Sequence, residues 1–431
     1  MASRLFRLSV RSGRAEAVAL PLASQTDGLT VTCLAACANH AALATAEHGL
    51  FTLGSDEQGQ LAHDASTIGF SDDENCPPQL VDRFAAGEVS GAGCGLFHTL
   101  AIGAAGKKKG GGVFAWGNAS WGQLGRGQLF NEAGPVPVLA GVRRVACGGA
   151  HSLVLLHDGS VRSFGNNREG QLGHGDTMHR LRPTPIESLA QFGPCVELAA
   201  GLYHGLALSA CGVVLQLGSR SADDVQRTSA VPPPQTWPYP PASAVGFSAT
   251  TTPKRPDQLD AMIYDAADDG KQQSMLAALR GIMESLTSPA ASLDVEHAVP
   301  VGEPLPQSAP RVVMGELGEA GASAVSCGDY HCAAIGAGEG GGGLYVWKVG
   351  GAPKRVKALR AELIACGDDF TVAYSAAAGG AGGDGDGGGG GSGALQMVYE
   401  ESGKMRVERV PVEGRVTHLA AGGEHVYYTV A

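Results

Sequence analysis

The chain has 431 residues, 44% of them hydrophobic, and a formal net charge of −11 at pH 7. An acidic protein repels phosphate groups, which argues against a general nucleic-acid surface or an anionic membrane as partner. Since no apolar run reaches the roughly 18 residues that a transmembrane helix needs, we expect partners that are proteins, with no nucleic acid and no membrane among them.

The N-terminal segment MASRLFRLSVRSGR contains four arginines and no acidic residue. Organelle transit peptides have a similar composition. Residues 5–22 also match residues 395–412, since each segment is a strand, a Ser-Gly turn and a second strand ending near proline. We therefore expect two β-strands at the N-terminus, with a transit peptide as the alternative.

A short pattern, small residue–Gly–x–x–His followed by apolar residues, recurs along the chain. The copies are ACANHAAL (36–43), CGLFHTLAI (94–102), CGGAHSLVL (147–155), AGLYHGLAL (200–208), CGDYHCAAI (327–335), CGDDFTVAY (366–374) and AGGEHVYYTV (421–430). We call the residue that ends each core the repeat position. It is occupied by His40, His98, His151, His204, His331, Phe370 and His425.

The third copy predicts a unit of four antiparallel strands. The expected strands are Val142–Ala146, His151–Leu156, Ser160–Phe164 and one near Arg182–Ile186, with a tight turn at His157-Asp158-Gly159. A Gly-Gln-Leu tripeptide follows the third strand in each of the first three units. Seven units of four strands predict an all-β fold, a seven-bladed β-propeller.

The two ends of the chain supply complementary strands. The last copy ends after two strands, and the N-terminal segment provides two more. We expect the last blade to be closed by N- and C-terminal strands, which removes the open edge of a linear array.

Residues 219–310 interrupt the repeats, which divides the chain into a first propeller part (1–218), an insert (219–310) and a second propeller part (311–431). The insert opens with VPPPQTWPYPP, which favours polyproline II. This stretch is either a rigid linker or a partner site that offers Trp237 and Tyr239.

A helical stretch follows in the insert, with one apolar stripe. The stripe consists of Met275, Leu276, Leu279, Ile282, Met283 and Leu286. This partly helical insert is expected to dock either on the propeller itself or in the groove of a partner.

The repeated cysteines and histidines could indicate a metal site. A Cys four residues before a His is a spacing found in zinc sites. However, the position four residues before the repeat position is occupied by Cys94, Cys147, Cys327 and Cys366 in four units and by Ala36, Ala200 and Ala421 in the others. This interchange favours the packing of a small residue over metal binding. We expect no metal, no cofactor and no catalytic residue. The repeat histidines are expected to satisfy backbone groups at blade turns, with a catalytic ring as the alternative.

The sequences CGGAHSLVL, DGSVRSFG and GNNREGQLGHGD closely resemble the repeat of the regulator of chromosome condensation family. The resemblance covers nearly the whole chain outside 219–310 and 376–394 and is strongest in the first three units. It implies a seven-bladed propeller with a protein-binding role. Family roles include nucleotide exchange on a small GTPase, ultraviolet sensing in plants and scaffolding.

Two departures from family patterns narrow these roles. The plant ultraviolet-B photoreceptor of this family carries tryptophans just before the repeat position in several repeats. In this chain, neither of the two residues before any repeat position is Trp. The founding exchange factor carries a basic tail that this acidic chain lacks. Photoreception is therefore not expected.

We expect a non-enzymatic, protein-binding propeller that acts as scaffold or adaptor in a larger assembly, through its concave face and the insert. The alternative is a guanine-nucleotide exchange factor for a small GTPase. Candidate partners are a small GTPase or a large ciliary assembly. The expected compartment is the cytoplasm or the flagellum, and organelle import stays open.

Overall fold

The strands of the computed structural model form seven sheets of four strands each. The structure describes residues 4–10, 14–18, 30–63, 76–104, 111–218, 309–337, 342–376, 393–401 and 404–431. Within these ranges, no helix is long and apolar enough to cross a membrane.

Blades 1 to 3 follow one another in the chain. Blade 1 contains β3 (Val31–Ala36), β4 (His40–Thr45), β5 (Gly49–Gly54) and β6 (Cys76–Leu80). Blade 2 contains β7 (Val89–Cys94), β8 (His98–Ala104), β9 (Gly111–Gly117) and β10 (Glu132–Ala140). Blade 3 contains β11 (Val142–Cys147), β12 (His151–Leu156), β13 (Val161–Gly165) and β14 (Arg180–Pro185). The four strands predicted for the third unit are confirmed to within about two residues at each end.

Blades 4 to 6 repeat the same order. Blade 4 contains β15 (Cys195–Ala200), β16 (Gly205–Ser209), β17 (Val214–Leu217) and β18 (Arg311–Val312). Blade 5 contains β19 (Ala322–Cys327), β20 (His331–Gly336), β21 (Gly343–Lys348) and β22 (Lys354–Arg360). Blade 6 contains β23 (Leu363–Cys366), β24 (Phe370–Ser375), β25 (Ala394–Glu401) and β26 (Lys404–Pro411). A 3₁₀ helix (Glu187–Phe192) precedes blade 4, and a short helix α1 (Glu316–Ala320) precedes blade 5.

Blade 7 is composite. Its strands are β27 (Val416–Gly422), β28 (His425–Val430), β1 (Arg4–Ser9) and β2 (Arg14–Ala17), hydrogen-bonded in that order. The first strand pairs with the last along its whole length, from Arg4 opposite Val430 to Ser9 opposite His425. The predicted closure of the last blade by both ends of the chain is confirmed.

The outer strand of blade 4 comes from beyond the insert. Leu215 in β17 pairs with Val312 in β18, and Gln216 pairs with Arg311. In chain order, the insert therefore joins the third and fourth strands of one blade, rather than separating two complete units. Residues 219–308 of the insert lie outside the described residues, and the three-part division of the chain stays a prediction.

The core consists of seven apolar clusters, and each is shared by two neighbouring blades. The cluster between blades 7 and 1 includes Leu5 and Tyr427 on one side and Leu43 and Phe51 on the other. The cluster between blades 2 and 3 includes Leu100 and Phe164. A four-stranded blade has two faces to bury, and its neighbours cover both, so the ring is stabilised at every interface.

Candidate protein-binding face

The repeat histidines lie in a belt between neighbouring blades. Nε2 of His98 in blade 2 lies 2.9 Å from Oγ of Ser152 in blade 3. That hydroxyl donates to the carbonyl oxygen of Gln123 at 2.8 Å. Since the Ser152 hydroxyl has one proton, which goes to Gln123, Nε2 of His98 must donate. The same chain of bonds joins His40, Thr99 and Gln60.

These bonds explain the Gly-Gln-Leu tripeptide. Gln60 and Gln123 are its central residues, and their carbonyl groups accept hydrogen bonds from the next blade. Gln60 also accepts a hydrogen bond from the Trp116 indole N–H at 2.8 Å. The loop therefore fastens each early blade to its successor.

For His40, His98 and His331, the hydrogen-bond partner is the side chain that follows the next repeat position. His331 Nε2 lies 3.0 Å from Thr371 Oγ1, whereas Phe370 and Val426 share an apolar cluster. The corresponding residue for His151 is Gly205, which offers no hydroxyl. The sequence predicts backbone partners for the histidines, whereas His98 and His331 reach across the interface to hydroxyl side chains.

Burial keeps three of the belt histidines neutral. It lowers the pKa of His40, His98 and His151 to about 3, and each residue is at most 1% exposed. In His40 and His98 the Nε2 proton is also bonded to a hydroxyl group, so these enclosed imidazoles are poorly placed for proton transfer to a bound molecule.

At His151 the belt also requires the glycine of the repeat, Gly148. A Cβ atom on Gly148 would lie 2.1 Å from Cε1 of His151 and 2.4 Å from the carbonyl oxygen of Gly201 in the next blade. The His ring and the neighbouring backbone thus occupy the space that a side chain would need.

The first and third strands of each blade end at the same face of the propeller, because the strands of a blade alternate in direction. In the described residues of blades 2 and 3, the loop after the first strand and the loop after the third therefore lie at this face. The first strands contact one another around the ring and therefore lie at its centre. We call the two residues before each repeat position the inner ring.

The inner ring is acidic on one side. Blades 5 to 7 contribute Asp329, Asp368, Asp369 and Glu424. Burial and the neighbouring Asp368 and Asp369 raise the pKa of Asp329 to about 7. A cationic group at this place would relieve the repulsion between these carboxyl groups.

Aromatic residues adjoin the acidic side of the inner ring. Tyr203 of blade 4 and Tyr330 of blade 5 have ring centroids 6.4 Å apart. Burial, and then nearby carboxyl groups, raise the pKa of both phenols. Tyrosine rings beside carboxylates suit an arginine or lysine side chain.

The outer part of the same face carries large exposed apolar residues. Phe130 is 69% exposed and Met178 is 63% exposed. Leu129 and Leu181 are also exposed. Trp121 is half-buried and lies in the same loop as Leu129 and Phe130. We call Trp121, Leu129, Phe130, Met178 and Leu181 the blade 2–3 patch.

Contacts between the two blades join the parts of this patch around Trp121 and Leu181. The Arg168 guanidinium lies 4.6 Å from the Trp121 ring centroid, and His179 meets the same ring edge-on at 5.1 Å. The backbone N–H of Gly127 donates to the carbonyl oxygen of Leu181 at 2.7 Å. The long loops of blades 2 and 3 therefore form one surface.

The predicted partner-binding residues have a different location in the chain. Trp237 and Tyr239, and the stripe Met275, Leu276, Leu279, Ile282, Met283 and Leu286, all lie outside the described residues. The sequence reasoning did not select the blade 2–3 patch. Its signal was the presence of Trp121 and Leu129-Phe130 in a loop otherwise rich in Gly, Asn and Gln.

Comparison with known proteins identifies the repeats. A model of the regulator of chromosome condensation (RCC1) repeat matches residues 110–155 and 158–208, and a second RCC1 repeat model matches 142–171. The fold is a closed seven-bladed β-propeller. The chain carries RCC1 repeats.

Similar sequences occur in proteins of several kinds. The chain is 34% identical over 190 residues to human "Probable E3 ubiquitin-protein ligase HERC6", covering 42% of this chain and 17% of that protein. It is 32% identical over 113 residues to the ultraviolet-B receptor UVR8 of Arabidopsis thaliana, with coverage of 25% and 23%. It is 34% identical over 127 residues to human protein RCC2, with coverage of 28% and 22%. The chain thus matches a minor part of each relative.

Two solved structures share the fold. Human WBSCR16 aligns with a TM-score of 0.61 at 17% identity, covering 100% of this chain and 99% of that one. Yeast RCC1 (Prp20), solved bound to Kap60, aligns with a TM-score of 0.58 at 13% identity, covering 99% and 88%. At these identities, the likeness shows the fold alone.

Proposed function

We propose that this chain is a non-enzymatic propeller that binds another protein and acts as a scaffold or adaptor. The blade 2–3 patch carries this proposal. Monomeric proteins seldom gather exposed apolar side chains in one place without a binding role. Tryptophan and arginine, here stacked as Trp121 and Arg168, are enriched among the residues that contribute most to protein interfaces.

The patch is held in place by polar contacts beneath it. Asn131, next to Phe130, donates from Nδ2 to Gln58 Oε1 at 3.0 Å and accepts at Oδ1 from the Ala119 N–H at 3.0 Å. Arg126 and Glu132 form an ion pair at the base of the loop. A loop fixed in this way loses little conformational entropy when a partner covers it, which favours binding.

The inner ring suggests the chemistry of the partner. Its acidic side lies on the same face as the blade 2–3 patch, so one partner can reach both. We propose a protein that places an apolar anchor on the patch and a basic segment on the inner ring. Opposite charges on the two surfaces would accelerate association at low salt.

We also propose that the protein has no enzymatic activity. The enclosure of His40 and His98 between blades, where their Nε2 protons bond to hydroxyl groups, supports this proposal. The match with the ligase HERC6 covers 17% of that protein, so its named activity does not extend to this chain by similarity. We propose the cytoplasm as compartment, since no disulfide joins the ten cysteines, all of which lie in the described residues.

A matched pair of variants tests the proposed interface. The double variant Phe130→Asp and Met178→Asp places charge in the patch, whereas Val407→Asp changes a residue that is 42% exposed on the outer strand of blade 6. The amount of partner protein that binds to the purified protein should fall at least about tenfold for the double variant, relative to the unchanged protein. Val407→Asp should bind as much partner as the unchanged protein. Equal binding by the unchanged protein and both variants would refute the patch as the interface.

A further inference from the structure

The belt changes its chemistry between blades 4 and 5. His204 Nε2 lies 3.2 Å from Cys332 Sγ, at the position where three other interfaces have the hydroxyl of Thr99, Ser152 or Thr371. Cys332 lies directly opposite Cys327 in the ladder between β19 and β20. The His204 nitrogen and the two sulfur atoms all lie within 4.8 Å of one another.

Blade 5 has a cysteine at both facing positions, Cys327 and Cys332, whereas each other blade has at most one cysteine at these two positions. The position of Cys327 interchanges with alanine around the ring, so a small residue is sufficient there. The position of Cys332 holds different residues in the other blades: Ala41, Thr99, Ser152, Gly205, Thr371 and Val426. A thiol is a weaker hydrogen-bonding group than the hydroxyls of Thr99, Ser152 and Thr371, but a much better ligand for soft metal ions.

We propose that His204 Nε2, Cys327 Sγ and Cys332 Sγ bind one thiophilic metal ion. Metal–sulfur bonds of about 2.3 Å and a metal–nitrogen bond of about 2.0 Å separate tetrahedral ligand atoms by roughly 3.5 to 3.8 Å. The spacing of these three atoms in the structure requires shifts of no more than about 1 Å to reach that geometry.

Charge balance favours a divalent ion. Binding releases one proton from each thiol, and two thiolates with a neutral imidazole then cancel the charge of Zn²⁺. The same ligands would leave a net negative charge around Cu⁺ in a buried place, which is unfavourable. His204 and Cys332 are buried, and the half-buried Cys327 gives the ion an approach. One coordination position stays available for water or another ligand.

Metal titration of the reduced full-length protein tests this site. Every protein in the test carries Cys211→Ser, because Cys211 is an exposed thiol that binds metal adventitiously. Isothermal titration with Zn²⁺ should give one ion per chain, and Co²⁺ should give the visible absorption of a thiolate-bound ion.

Two variants decide whether these ligands hold the ion. Cys332→Thr restores the hydroxyl present at Thr99 and Thr371, so it should fold normally and lower the Zn²⁺ affinity at least about 100-fold. Cys366→Ala removes the thiol that occupies in blade 6 the position of Cys327, and it should leave the Zn²⁺ affinity unchanged. Equal affinity in Cys332→Thr, the absence of Zn²⁺ binding, or a Cys327–Cys332 disulfide in the native protein would overturn the proposal.

Discussion

Replacing Leu8 by alanine tests whether the N-terminus closes the ring. Leu8 lies in β1 and is 0% exposed, within the cluster shared by blades 6 and 7 that includes Val426 and Tyr428. Loss of a buried leucine side chain costs about 2 to 5 kcal/mol, because the lost transfer free energy adds to that of the cavity. That is a large part of the roughly 5 to 15 kcal/mol by which folded domains are stable.

Deleting residues 1–20 is the stronger form of this perturbation. It removes the burial of Leu5 and Leu8, about 3 to 6 kcal/mol together, and leaves β28 as an unpaired edge. We expect the whole propeller to unfold at lower urea concentration, rather than a tail to be lost. Because the blades stack as a ring, the loss should appear in a global transition.

Urea unfolding followed by circular dichroism measures the effect. Arg4→Ala is the control, since Arg4 is exposed in the same strand and its substitution should change stability by less than about 0.5 kcal/mol. An unchanged midpoint for Leu8→Ala or for the truncated protein would refute closure by both ends. Cleavage of the native N-terminus within an organelle would revive the transit-peptide alternative.

Three further outcomes follow from the belt and the fold. Gly148→Ala should destabilise the protein by more than about 2 kcal/mol in urea unfolding, whereas Gly134→Ala, with nothing within 4 Å, should be nearly neutral. Lowering the pH from 6.5 to 5 should reduce the free energy of unfolding by about 1.1 kcal/mol per pH unit for each of His40, His98 and His151, because their folded pKa is about 3 and the unfolded chain takes up protons first. Asp329, with its raised pKa of about 7, acts in the opposite direction, and His98→Gln should make the measured slope shallower. Finally, addition of this protein should not accelerate nucleotide release from Ran-type or related small GTPases. Strong acceleration in a release assay would favour the exchange-factor alternative.

The repeated pattern is what made the fold predictable. Each blade needs an apolar face and a tight turn, and both are local features of the sequence, as in the unit that contains His151. The two ends of the chain matched because they complete one such unit. Strand β18 was not predictable in the same way, since two residues, Arg311 and Val312, are too few to show a period.

The candidate sites depend on contacts between distant residues. The bond from His98 to Ser152 spans 54 positions, and that from His204 to Cys332 spans 128, with the insert between them. Sequence reasoning identified the repeat positions but not the partners across each interface. The exposure of Phe130 and Met178 is likewise a property of the assembled loops, because an apolar residue in a loop has no periodicity to mark it as exposed.

Photo-crosslinking from the blade 2–3 patch tests the central claim most directly. A photoreactive phenylalanine analogue at position 130 changes the surface little, and the same analogue at position 407 serves as the matched control. A further sample carries Leu279→Asp and Ile282→Asp in the insert together with the analogue at position 130. We expect a crosslinked partner protein from position 130, and none from position 407. A crosslink from neither position, with partner binding lost in the insert variant, would contradict the patch and place the contact on the insert.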